Sequence, residues 1–109
     1  MATDNTKKRN HFHLEMEQAI ALANQEVMKG ASLPAVEPDT VLPLAIAVAR
    51  LRAEYLKAAL SIGHKDRNEP PVDAELTGLR KYREAYEEGV AAFDALMRAI
   101  ERGHIELKE

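Results

Sequence analysis

The 109-residue sequence contains no cysteine and only two serines, Ser32 and Ser61. Without thiols there are no disulfide frameworks, thiolate zinc sites, iron–sulfur ligands or thiol nucleophiles. Neither serine lies in a Gly-x-Ser-x-Gly elbow, and no glycine-rich loop is present to cradle a phosphate. Long hydrophobic runs are missing too. The longest mostly apolar stretch, residues 41–49, is closed by Arg50 and Arg52, well short of the roughly 20 residues needed to cross a bilayer. The polar residues 1–10 are not followed by the apolar run of a secretory signal, so a soluble, cytoplasmic protein is expected, with no membrane partner. A large excess of one charge is also lacking. The formal net charge is −3, the wrong sign for a dedicated duplex binder, so Lys7, Lys8 and Arg9 read as a solvated basic tail and nucleic acid is not an expected partner.

What is present favours helix. Valine, isoleucine and threonine total 15, against 64 for alanine, leucine, glutamate, lysine, arginine, methionine and glutamine together. Hydrophobic residues are 46% and charged residues 30%, which excludes the disordered class and predicts a packed core in a single domain. No repeat or low-complexity segment is visible. The sequence divides into a flexible basic tail (1–9), one helical bundle domain (10–103) and a short C-terminal tail (104–109).

Three helices are predicted. The first begins near Asn10 and stops at Gly30, with Phe12, Met16, Ala19, Ile20, Ala23 and Val27 on one stripe. A connector with Pro34 and Pro38 follows, and Leu33 and Val36 are placed to pin it to the bundle. Helix two, capped by Asp39 or Thr40 with Pro43 in its first turn, ends at Gly63. It carries two apolar lines: Leu44, Val48, Leu51, Tyr55 and Ile62, and beside them Leu42, Ile46, Ala49, Ala53, Leu56 and Leu60. After a polar loop ending in Pro70 and Pro71, Asp73 caps a third helix that runs to Gly103. At about 45 Å it is predicted to overhang the first, at about 28 Å. One line on it, Leu76, Leu79, Tyr86, Val90, Phe93, Met97 and Ile100, has coiled-coil-like spacing interrupted by Arg83. A second, Tyr82, Ala85, Gly89, Ala92, Leu96 and Ala99, is mostly small and invites close approach of another backbone. Gly89 reads as a packing glycine, whereas Gly78 has no account.

Few residues are spaced for chemistry. His13 with Glu17, and Glu101 with His104, have helical metal-ligand spacings, but the inward-facing second pair that such a site needs is missing, so no metal or other cofactor is expected. Tyr55, Tyr82 and Tyr86, and Met16, Met28 and Met97, read as packing residues. Arg50, Arg52 and Arg83, near Arg80 and Lys81, would form a cationic patch on an antiparallel bundle, and Glu84, Glu87 and Glu88 are spaced to pair with the cations of helix three.

A middle helix ending in Gly63-His64-Lys65, a loop with Pro70-Pro71, and a last helix with Phe93-Asp94-Ala95-Leu96-Met97-Arg98-Ala99-Ile100 resemble the latter half of the helical chorismate mutases. The resemblance implies an all-α enzyme or sensor binding an anionic metabolite, here at Arg50, Arg52 and Arg83. The first helix lacks the spaced arginine and lysine that would grip two carboxylates, so no catalytic residue is carried across.

The expected architecture is an all-α, three-helix antiparallel bundle with a long C-terminal helix. A small bundle needs an apolar arc of about 100° to 140° per helix, and helices two and three each present two adjoining lines. A homodimer through helices two and three, at Tyr82, Tyr86, Gly89, Val90, Phe93 and Met97, or another protein partner, would cover the surplus. The expected role is a non-catalytic protein-interaction or regulatory module.

Overall fold

In the computed structural model, which describes residues 2–63 and 68–108, three helices follow one another: α1 (Ala2–Gly30), α2 (Pro38–Gly63) and α3 (Asp73–Glu101). His64, Lys65 and the rest of 64–67, in the polar loop, lie outside the described residues. The helix boundaries differ from expectation in physically readable ways. α1 begins at Ala2 rather than near Asn10, so the basic residues 7–9 ride on the helix. Asp4 stands in its first turn, where a carboxylate is favourable to the helix dipole. At 29 residues α1 is as long as α3, and the predicted overhang is not seen.

Gly30 does not supply the left-handed residue that turns the chain out of α1. Ser32 does, at φ 54°, an αL conformation that costs a non-glycine residue about 1 kcal/mol. Pro38 takes the first position of α2, where its missing N–H is harmless. The amides of Thr40 and Val41 donate to the Glu37 carbonyl, so Glu37 rather than Asp39 or Thr40 precedes the helix. Pro43 then falls in the second turn, inside α2, where it withholds a main-chain bond. Val72, not Asp73, caps α3. Its own N–H donates to Glu75 Oε1 at 3.2 Å, half of a capping box without a side-chain acceptor. Gly103 closes α3 as expected. At φ 75° it lets its own N–H reach the Ile100 carbonyl and that of His104 reach Ala99, a Schellman turn.

α2 and α3 pack along one seam. On α2 the half-buried residues are Val41, Leu44, Ala45, Val48, Leu51, Tyr55, Ala58 and Ile62, a nearly unbroken alternation of three and four that keeps one stripe facing its neighbour. The seam on α3 takes members of both predicted lines: Leu79, Tyr86, Val90, Phe93 and Ile100 from one, Gly89, Leu96 and Ala99 from the other. Tyr55 and Tyr86 stack with ring centroids 6.3 Å apart and planes at 29°. A Cβ on Gly89 would lie 3.1 Å from Leu51 Cδ1 and 3.3 Å from Val48 Cγ2, so the absence of a side chain here lets the two helices approach closely.

The expected three-helix bundle is not formed. Among the described residues α1 packs against neither α2 nor α3, and every side chain of α1 described is exposed except that of Met28. The molecule is accordingly thin and spread, 65 × 51 × 17 Å, with a radius of gyration of 22.1 Å against about 13 Å for a compact domain of this length.

The two interior glycines of α3 should respond oppositely to a methyl group. A Cβ at Gly78 would meet nothing within 4 Å, so Gly78→Ala should raise stability by about 1 kcal/mol. Gly89→Ala should gain distinctly less, or lose stability, because Leu51 and Val48 must give way. Urea unfolding of the two variants side by side checks this.

Candidate interaction surface

Only two apolar side chains are buried among the described residues, Val36 at 6% exposure and Ile105 at 7%. Both belong to an elbow outside the helices. The Val36 N–H donates to the Glu106 carbonyl and the Lys108 N–H to the Val36 carbonyl, each at 2.8 Å, and Val36 forms a parallel bridge with Leu107. The connector is thus tied to residues 106–108, which fold back rather than trail away. Beside the tie lies a largely apolar hollow lined by Val36, Pro38, Val41, Met97, Ile100 and Leu107. The end of α1 rests at the same corner, where Gln25, Met28 and Lys29 share a hollow with Gly103 and His104.

From this elbow α1 leads outward with its stripe uncovered: Phe12 is 59% exposed and Val27 67%, and Met16 and Ile20 are exposed as well. The second apolar line of α2 is equally bare. Leu42, Ile46, Ala49, Ala53, Leu56 and Leu60 are all exposed, Leu60 at 66%. Their spacing, four and three in strict alternation, is that of a helix-packing seam, and at 100° per residue it faces roughly 150° away from the seam that meets α3. The chain exposes 9077 Å² in all, whereas a folded monomer of 12.1 kDa exposes about 6,000 Å².

Of the residues expected at a dimer interface, Tyr86 and Gly89 face α2 of their own chain. Val90 and Phe93 are half-buried on the same helix, and Tyr82 and Met97 lie at its exposed margin. Arg50, Arg52 and Arg83 are all exposed. A hollow at the seam is lined by Tyr55, Leu76, Leu79, Arg80 and Arg83, with neither Arg50 nor Arg52 in its wall. Arg83 Nε lies 3.7 Å from Glu87 Oε1, and Arg80 Nε 3.9 Å from Glu84 Oε1, the i, i+4 pairs expected of a solvated face and worth little individually. His11 Nε2, rather than His13, pairs with a carboxylate, Glu15 Oε1 at 2.9 Å. Gly103 separates Glu101 from His104, which leaves the helix. Among the described residues no group of three or more His, Asp or Glu side chains is placed to hold a metal ion, and no helix is long and apolar enough to cross a membrane.

Comparison with known proteins finds no matching family model, no matching curated protein and no matching solved structure. The resemblance to the helical chorismate mutases therefore has no counterpart among them.

The elbow's stability rests on Ile105. Ile105→Ala should cost about 2 kcal/mol, at the low end for such truncations because the cluster is small. Amide exchange at Val36 and Lys108 should quicken while the α2–α3 seam keeps its protection, which hydrogen-exchange mass spectrometry resolves.

Proposed function

We propose that this protein is a non-catalytic interaction module: an antiparallel α2–α3 pair carrying α1 as a third helix, whose apolar faces are covered by another chain, in the simplest case a second copy in a homodimer. The antiparallel reading is supported by the order of contacts along the seam. Val41 near the start of α2 shares a hollow with Ile100 near the end of α3, Val48 and Leu51 meet Gly89, Tyr55 meets Tyr86, and Ile62 lies beside Glu75 and Gly78.

The observation that carries the interaction reading is the surplus of surface, about 3,000 Å² beyond a compact monomer of this mass. Two helical stripes that mix large apolar side chains with alanine are exposed within it. Scattered apolar residues are normal on a surface, but continuous stripes of this kind are what partners cover. Obligate homodimer interfaces bury about 2,000–5,000 Å² in total and some more; the surplus on two copies sums to about 6,000 Å², so a second copy can absorb most of it, and symmetric dimers are the commonest assemblies.

Light scattering on the purified chain at micromolar concentration should therefore give twice the 12.1 kDa of one chain. A single-chain mass with full helical circular dichroism would overturn the homodimer. Ile46→Glu, on the bare seam of α2, should lower the mass at the same concentration.

A further inference from the structure

We infer that α1 is an exchanged arm: the stripe Phe12, Met16, Ala19, Ala23 of one copy lies in the bare α2 seam of a second copy, and the second copy's arm lies in the first. This rests on the interaction reading above and names what meets what.

Three observations carry it. The first is complementarity of pattern. Phe12, Met16, Ala19 and Ala23 follow the same alternation of four and three as Leu42, Ile46, Ala49, Ala53, Leu56 and Leu60, and both lines are exposed within their own chain. The apolar stripe of α1 from Phe12 to Val27 runs about 22 Å and the α2 seam about 27 Å, so one helix fills the other's seam. Both lines also mix large residues with alanine. That combination lets knobs of one helix enter the spaces of the other.

The second is the elbow. Main-chain bonds tie Val36 to Glu106 and Lys108, and Ser32 and Pro34 shape the turn out of α1. The corner holding α1 away from its own α2 is thus a built feature containing Val36 and Ile105, the two buried residues among those described. The third is economy of coverage. Pairing α2 with the partner's α2 would hide that seam and leave both arms bare, and pairing arm with arm would leave both α2 seams bare. Reciprocal exchange covers all four stripes with one two-fold operation, and it suits the 3,000 Å² surplus per chain.

Complementation distinguishes these arrangements. Met16→Glu damages the arm and Leu56→Glu the α2 seam, and neither residue lies in the α2–α3 contact. Each variant alone should dissociate at least tenfold more readily than the unaltered chain, because both arm-to-seam contacts are spoiled. An equimolar mixture should regain a two-chain species by light scattering, since one of its two contacts is then unaltered on both sides. A mixture that stays single-chain while the unaltered protein is two-chain would overturn arm exchange and leave the dimer standing. A single-chain unaltered protein would overturn both.

A second measurement avoids any variant that disturbs folding. The natural chain has no cysteine, so Ala19→Cys and Ala53→Cys, near the middle of their stripes, report cleanly whichever way the helices run. A short bismaleimide should join the two differently tagged chains when they are mixed. Cross-linking of Ala53→Cys chains to one another, with none in the mixture, would overturn the exchange.

Discussion

The close approach of α2 and α3 at Gly89 sets the rest of the structure. With no side chain at that position, Val48 and Leu51 seat against the α3 backbone, and the Tyr55–Tyr86 stack one turn along reinforces the contact. A gap of about 0.5–1 Å forfeits a quarter to a half of a dispersion contact, so helices held this near favour the register that seats Val48 and Leu51 at the glycine. Once that register is chosen, one stripe of α2 is spent on α3. The other is turned to the far side, and Val41 of α2 and Ile100 of α3 share the hollow beside the elbow.

The elbow is the other fixed point. It contains the two buried residues among those described, and it joins segments 70 residues apart in sequence through two main-chain hydrogen bonds. A connector with prolines at 34 and 38 has few conformations to lose on being tied down, which makes a small cluster sufficient. The result is a flat molecule with a tied corner, quite unlike the compact bundle that its helix count suggests.

Much of this was legible in the sequence, and the part that was not has a common cause. Helix existence, the stops at Gly63 and Gly103, the packing role of Gly89 and the two apolar lines of α2 all follow from local pattern, and each is present. Of the two residues placed to pin the connector to the bundle, Val36 is buried and tied to residues 106–108 instead, and Leu33 is exposed. Cap positions differ by one to three residues, because Asp39, Thr40 and Asp73 look like better caps than Glu37 and Val72. The start of α1 was missed for a similar reason: Thr3, Asp4, Asn5 and Thr6 are poor helix formers and read as a tail. Which stripes of α3 would meet α2 was only half legible, since large and small residues share the seam and two parallel lines give no ranking between them. Whether α1 docks on its own chain is a question of tertiary geometry, and an apolar stripe carries the same signature whichever chain covers it.

Because the elbow is closed through the backbone, the side chains of Glu106 and Lys108 contribute no specificity to it, and drift at those positions leaves the bearing of α1 unchanged. Spacing is a different matter. One residue added or removed between the Schellman glycine and Glu106 shifts Ile105 out of its seat and offers Val36 the wrong pair of carbonyl and amide. The direction in which the first helix points is therefore encoded at the opposite end of the polypeptide, in a count of residues more than in their kinds.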